Sequence, residues 1–283
     1  MEYEFETITF EVQEDGIGIL SLNRPEKLNA ISFQMEEDLH AVFDGLKGNL
    51  DCRVLILRAE GKVFSAGTDL KEGILLNSKR MSEKYNKFYF LDVPEPIKKK
   101  VYHQWHITDI ITKMRNIHQP IIGLVQGVAA GGGFGLLLAS DIRIATKEAK
   151  FINASMNIGL TGGDMGSSYF LPRLIGMSRA AEILYTGRTI EGMEAENIGL
   201  VSKIVEKEDL LETGLELAEE MLTKSPLGLR LTKKAINLSL DAPSLQTILE
   251  FENSSIIIAF SSTDMTEAST AFFKKRTPQY PKK

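Results

Sequence analysis

Three glycine-rich segments contain the residues of this sequence that could take part in chemistry. They are residues 64–70 (FSAGTDL), residues 127–135 (GVAAGGGFG) and residues 157–168 (NIGLTGGDMGSS). In the second segment, three consecutive glycines at 131–133 leave no side chain between the backbone and an approaching ligand. Because a helix is predicted to begin there, its unpaired N–H groups and the positive end of its dipole would face that ligand. The segment could therefore bind an anion or a developing oxyanion.

A glycine run before a helix is equally typical of a tight turn or of close packing, and both interpretations stay open. The spacing differs from a dinucleotide-binding fingerprint, and no phosphate-binding Gly-Lys-Ser/Thr motif occurs. The pairing of residues 64–70 with residues 127–135 favours a binding role, because each segment follows a predicted buried strand. Asp164, in the third segment, precedes a predicted helix. It is either an N-cap, which its spacing favours, or a catalytic carboxylate.

Predicted strands and helices alternate along the chain around these segments, which indicates an α/β fold. Alternating or continuous apolar runs predict strands at residues 8–12, 17–20, 54–57, 121–125, 141–145 and 201–205. Asp15-Gly16 indicates a hairpin between the first two. Apolar residues three and four apart predict two helices. One covers residues 35–46 and begins near Ser32, and the other covers residues 107–114.

The character of the chain changes near residue 207. Four helices are predicted at residues 208–224, 226–240, 244–260 and 264–275. We therefore expect an α/β core at 1–206 and a helical C-terminal segment at 207–283. Residues 71–105 have the weakest periodicity and predict a long loop over a site. Tyr102, His103, Trp105 and His106 either line an acyl pocket or pack at the start of a helix.

Composition excludes several classes of protein. The 33 basic and 38 acidic residues give a net charge of −5, which argues against nucleic acid as a partner. The single cysteine, Cys52, excludes an intramolecular disulfide framework, and four scattered histidines give no metal-ligand spacing. No apolar run reaches the length of a membrane span, and the acidic N-terminal stretch is unlike a signal peptide. We expect a cytoplasmic protein with no metal and no membrane partner.

Taken together, these segments resemble the crotonase superfamily, also called the enoyl-CoA hydratase/isomerase family. The matching stretches run in order along nearly the whole chain: residues 23–30, 64–70, 119–146, 158–176, 199–205 and 271–280. The resemblance implies a spiral of ββα repeats followed by a helical C-terminal trimerisation segment. It also implies homotrimers or dimers of trimers, and acyl-CoA thioesters as substrates. No separate cofactor is implied, because coenzyme A is part of the substrate.

The resemblance assigns roles to particular residues. The backbone N–H groups of Thr68 and Gly132 match the two that bind the thioester oxygen as it becomes an enolate oxygen. The positions that match coenzyme A and acyl contacts in the family are Arg24, Lys27, Leu28, Ala66, Asp69, Leu70, Gly131 and Ser155. Lys27 is equally consistent with a solvated surface lysine, and Ser155 with a small residue that makes room for the substrate.

Departures from the family pattern concern the catalytic carboxylates. The two glutamates of family hydratases match Gly135 and Ser155, so hydration by a water held between two glutamates is not expected. Asp164 resembles the catalytic aspartate of dienoyl-CoA isomerases and chlorobenzoyl-CoA dehalogenases, provided the loop contains one extra residue. Without that insertion, Gly163 takes the position. The partner residues of both relatives are missing, and dehalogenation is not favoured.

One carboxylate is enough to move a proton from one carbon to another. The sequence therefore predicts an enzyme with an oxyanion hole at Thr68 and Gly132 and with Asp164 as the acid/base. We expect double-bond isomerisation or atypical hydration of an enoyl-CoA. The alternatives are a thioester or C–C bond hydrolase on the same scaffold, and a non-catalytic acyl-CoA-binding protein. The acyl group is not predicted; residues 71–117 are expected to shape its pocket.

Overall fold

In the part of the chain that the structure describes, the strands form two sheets. The structure, a computed structural model, describes residues 4–74 and 94–280. The larger sheet has the order β1-β2-β3-β4-β6-β9, and the smaller has the order β5-β7-β8. The strands are β1 (Ile8–Val12), β2 (Ile17–Leu22), β3 (Val54–Ala59), β4 (Ile121–Val125), β5 (Val128–Ala130), β6 (Ile142–Thr146), β7 (Lys150–Ile152), β8 (Thr189–Glu191) and β9 (Lys203–Val205). β1 and β2 form the predicted antiparallel hairpin, and the larger sheet is parallel from β2 onward.

Helices cover both faces of the larger sheet. They are α1 (Phe33–Leu46), α2 (Leu70–Ile74), α3 (Glu95–Asn116), α4 (Gly132–Ala139), α5 (Ser167–Ile175), α6 (Met177–Thr186), α7 (Gly192–Asn197), α8 (Leu210–Leu222), α9 (Pro226–Ser239), α10 (Leu245–Phe260) and α11 (Thr263–Phe273). In β3, Leu55 and Leu57 face the core built with α1, α3 and α4, whereas Val54 and Ile56 face α8. The prediction of strands buried on both faces is confirmed.

Two local predictions have different outcomes. The start of α1 is confirmed, because the Ser32 hydroxyl accepts a hydrogen bond from the Met35 N–H at 3.2 Å. The prediction of a loop through residue 105 is wrong for residues 95–105, which belong to α3. The exposed side of this helix carries charged side chains such as Lys100, so the first turns of α3 lack a strong apolar stripe. Residues 75–93 lie outside the described residues, so that part of the prediction stays open.

The C-terminal segment is helical after β9, as predicted, and is tied to the core by a buried lysine. Lys233 of α9 donates to the Gln119 carbonyl at 2.7 Å and lies 2.9 Å from the Asp141 carboxylate. The division into units at 206/207 stays a prediction. Within the described residues, no helix combines the length and the apolar character that crossing a membrane requires.

Candidate active site

The two segments predicted to bind an oxyanion lie side by side. Ser65 N donates to the Val128 carbonyl at 3.0 Å, and Ala130 N donates to the Ser65 carbonyl at 2.9 Å. These bonds form a parallel bridge between Ser65 and Ala129. Continuing that parallel register by three residues places Thr68 opposite Gly132. The fold therefore brings the two predicted donors together, although 64 positions separate them in the chain.

A glycine with positive φ precedes each of these donors. Gly67 has φ +92° and Gly131 has φ +48°, values that other residues rarely adopt. A Cβ built on Gly67 would lie 2.8 Å from the Ala130 carbonyl oxygen and 3.4 Å from Gly132 N. A Cβ built on Gly132 would lie 3.7 Å from Thr68 N. The two amide nitrogens are therefore close neighbours, and the approach of the two segments depends on glycine at 67.

Neither amide is used by the secondary structure. Gly132 is the first residue of α4, so its N–H has no acceptor one turn earlier within the helix. Thr68 bridges to Ile31 through the bonds of its neighbours: Ile31 N donates to the Gly67 carbonyl, and Asp69 N donates to the Ile31 carbonyl. Among the described residues, neither Thr68 N–H nor Gly132 N–H donates a hydrogen bond.

Two buried polar residues that sequence analysis gave no role hold this geometry. The Ser65 hydroxyl donates to the Asn29 carbonyl at 2.7 Å and accepts from Gly67 N at 3.1 Å. The Asn29 side-chain amide donates to the carbonyls of Glu60 and Val63 at 2.8 and 3.0 Å. Ser65 and Asn29 are fully buried. The sequence signals them only weakly: each is a polar residue inside one of the stretches that match the family, residues 64–70 and 23–30.

Residues 24–28 and 66–70, which include most of the positions matched to coenzyme A contacts, lie next to each other beside Thr68; we call these two segments the rim of the site. Ala66 N donates to the Leu28 carbonyl at 2.9 Å, which joins the two rim segments. The Arg24 guanidinium is used within the protein, because it donates to the Ala30 carbonyl at 2.7 Å and lies 3.6 Å from Asp69. The exposed members of the rim are Lys27, Leu28, Ala66 and Leu70.

The Asp164 carboxylate lies against the position of the second family glutamate. Ser155 Oγ donates to Asp164 Oδ2 at 3.3 Å, while Oδ1 accepts from Met165 N at 2.9 Å and from Gln104 Nε2 at 2.8 Å. The carboxylate is half-buried. The N-cap interpretation is wrong: the N-cap of α5 is Gly166, and the backbone N–H that bonds to the Asp164 carboxylate belongs to Met165, before the helix. Gly163, which would match the catalytic aspartate if the loop had no extra residue, is exposed.

The position of the first family glutamate has no room for a side chain. A Cβ built on Gly135 would lie 2.4 Å from Met165 Cβ. Met165 is buried, with φ +48°, directly after Asp164. The loop that carries Asp164 therefore fills the space beside α4 where a first glutamate would begin.

The aromatic and histidine residues of the predicted pocket belong to α3. Tyr102 is buried, Trp105 is about half exposed, and His103 Nε2 lies 2.9 Å from Glu36 Oε1 on α1. These contacts agree with packing on a neighbouring helix, whereas a role in an acyl pocket stays a prediction. The described residues contain no group of three His, Cys, Asp or Glu side chains arranged to hold a metal ion.

Comparisons with known proteins agree with this architecture. A family model described as "Enoyl-CoA hydratase/isomerase" matches residues 12–283. A probable enoyl-CoA hydratase of Mycobacterium bovis is 35% identical, over 93% of this chain and 89% of its own length. A short-chain-enoyl-CoA hydratase of Clostridium acetobutylicum is 31% identical, over 93% and 94%. The crystal structure of an enoyl-CoA hydratase from Bacillus anthracis superposes with a TM-score of 0.86 at 31% identity, over 98% of this chain and all of that one.

Proposed function

The chain belongs to the enoyl-CoA hydratase/isomerase family, and from that premise we propose that it moves a double bond in an enoyl-CoA thioester or hydrates one atypically. Thr68 and Gly132 bind the thioester oxygen through their N–H groups, and Asp164 is the acid/base. The observation that carries this proposal is the adjacency of two amides that make no hydrogen bond within the described residues.

The amides stabilise the charge that forms during reaction. When a proton leaves the acyl chain, electrons move toward the thioester carbonyl and its oxygen becomes an enolate oxygen. Two N–H groups fixed beforehand stabilise that oxygen without reorganising, and one such donor is typically worth about 3 kcal/mol. The backbone bonds around Ser65 supply that rigidity, because they hold both segments before substrate arrives.

A single carboxylate favours isomerisation over ordinary hydration. Asp164 takes a proton from the carbon next to the double bond, which leaves a dienolate whose negative oxygen faces Thr68 and Gly132. The protonated Asp164 then returns the proton at the other end of the allylic system, and the thioester carbonyl re-forms. Hydration between two glutamates is disfavoured, because Gly135 and Ser155 supply no carboxylate and Met165 crowds Gly135.

The rim beside Thr68 supports the binding of coenzyme A. Lys27 supplies an exposed cation for the phosphates, and the exposed apolar side chains of Leu28 and Leu70 flank the entrance. Arg24 supports the rim through its bonds to Ala30 and Asp69. Ala66 and Gly131 contribute backbone that a ligand can approach closely.

The helical segment supports assembly into trimers or dimers of trimers. Among the described residues, α10 and α11 expose large apolar side chains, of which Leu245 (74%), Phe272 (78%) and Phe273 (82%) are the most exposed. Such faces are costly in water and are typical of subunit contacts. Light scattering coupled to size-exclusion chromatography measures the mass directly, and a monomer at micromolar concentration would contradict this part of the proposal.

Substituting Asp164 tests the function. Asp164→Asn keeps the size of the side chain but cannot exchange the proton, so turnover of a panel of enoyl-CoA esters should fall by at least about 100-fold. Asp209→Asn, on an exposed carboxylate just before α8, is the matched control and should keep full activity. Release of free CoA, followed with a thiol reagent, would favour the hydrolase instead. Tight acyl-CoA binding without turnover would favour a binding protein.

A further inference from the structure

We propose that Gln104, on α3, is a positioning residue that fixes the carboxylate of Asp164. This inference rests on the function proposed above, because it matters only if Asp164 transfers a proton. The side-chain amide of Gln104 donates through Nε2 to Asp164 Oδ1 at 2.8 Å. The contact joins two residues 60 positions apart in the chain.

The three donors that the described residues supply to the Asp164 carboxylate come from different parts of the fold. Ser155 and Met165 belong to the same stretch of chain as Asp164, so their bonds move with that stretch. Gln104 comes from α3 and ties the carboxylate to a separate element. The carboxylate of an aspartate can rotate about χ2, the torsion of the Cβ–Cγ bond. A donor held by a separate element fixes that rotation, and with it the direction of the lone pair that accepts the proton.

α3 is suited to this task because it is anchored on both sides of Gln104. The preceding residue, His103, lies 2.9 Å from the buried Glu36 of α1. Farther along the helix, Ile107 and Ile110 are buried in the core. Thr108 Oγ donates to the Gln104 carbonyl at 2.8 Å. The backbone of Gln104 is therefore held, and only its exposed side chain reaches the Asp164 loop.

The loop itself needs such support. Met165, next to Asp164, has φ +48°, a left-handed conformation that is strained for a residue with a side chain. Loss of the Gln104 bond would let the carboxylate turn while Thr68 and Gly132 stay in place. The expected consequence is slower proton transfer with little change in thioester binding.

Kinetics of two Gln104 variants test the proposal. Gln104→Leu should lower kcat about tenfold and leave KM within about twofold. Gln104→Glu puts a second carboxylate beside Asp164, so the acid limb of the pH profile of kcat should move to higher pH. A residue that does not contact the proton-transferring carboxylate would not produce that shift. Gln246→Leu removes a matched exposed bond from Gln246 to Glu250 on α10 and should change neither quantity.

The outcomes separate this inference from the proposed function. If Asp164→Asn turns over at the wild-type rate, both fail, because there is no proton transfer to position. Suppose instead that Asp164→Asn is inactive. Only the role of Gln104 is then overturned if Gln104→Leu keeps the wild-type kcat, or if Gln104→Glu keeps the wild-type pH profile. A rise in KM with unchanged kcat would also overturn it, because that result indicates uniform substrate binding.

Discussion

Glu36 and His103 form a pair between α1 and α3 in which, within the described residues, only one of the two carboxylate oxygens has a partner. His103 Nε2 lies 2.9 Å from Glu36 Oε1, and Glu36 Oε2 is buried with no hydrogen-bond partner among the described residues. Burial raises the pKa of Glu36, and the bond to His103 opposes that rise only in part. The pair therefore holds α3 in place at a cost in stability once Glu36 ionises.

Glu36 should make the stability of the fold depend on pH. In the folded state it keeps its proton above the ordinary value of 4.5, whereas the unfolded chain loses it there. The folded state then binds more protons, so the free energy of unfolding falls as pH rises from 4.5 through the raised pKa. The loss is about 1.4 kcal/mol for each unit of the rise in pKa.

Glu36→Gln removes this titration and should flatten the dependence. Urea unfolding of wild type and variant between about pH 4 and 8, a window that begins near the ordinary carboxyl pKa, gives the slope of the free energy of unfolding against pH for each protein. Glu208→Gln, on an exposed carboxyl, is the control and should keep the wild-type slope. Parallel curves for Glu36→Gln and wild type would show that Glu36 is not the titrating group.

Gly135 should tolerate no side chain while Met165 is present. The contact of 2.4 Å between the built Cβ and Met165 Cβ requires the loop or the helix to move, so Gly135→Ala should lower the free energy of unfolding by about 1–3 kcal/mol. In Gly135→Ala/Met165→Gly the clashing Cβ is gone, and the loss should be smaller than the sum of the single losses. Gly48→Ala, with nothing within 4 Å of the built Cβ, is the control.

The oxyanion proposal predicts opposite results at two adjacent residues. Thr68→Ala keeps the N–H group, so kcat should stay within about threefold of wild type. Gly67→Ala puts a Cβ 2.8 Å from the Ala130 carbonyl at a φ of +92°, which displaces the peptide carrying that N–H, so kcat should fall on the order of 100-fold. Gly176→Ala has a similar φ of +84° and open space, and should cost stability without lowering kcat. Equal losses in Thr68→Ala and Gly67→Ala would indicate a role for the Thr68 side chain instead.

Sequence reasoning succeeded where short-range patterns decide the structure. The turn at Asp15-Gly16, the cap at Ser32 and the strands of the larger sheet all follow from local residue preferences and apolar periodicity. The meeting of Thr68 and Gly132 could also be anticipated, because both segments follow strands that are neighbours in a parallel sheet.

What sequence reasoning missed depends on contacts between distant segments. Gln104 lay in a stretch expected to be a loop, and nothing in its neighbours indicates that its amide reaches Asp164. The crowding of Gly135 by Met165 arises from the path of a glycine-rich loop, which periodicity does not describe. The start of α3 is hard to predict for a related reason. Much of the stability of a partly exposed helix comes from packing against distant segments, which its own sequence pattern does not show.

Cys52 should be inert in the folded protein, which makes the assay for released CoA unambiguous. Burial raises the pKa of its thiol to about 12, and the side chain is 1% exposed. Because the thiolate is the reactive form, a disulfide reagent at about pH 8 should label none of the native protein within minutes and one thiol per chain in denaturant. It is the only cysteine in the sequence, so thiol released during turnover would come from coenzyme A. Rapid labelling of one thiol in the native protein would contradict the burial of Cys52, and Cys52→Ala would then be needed before CoA release is measured.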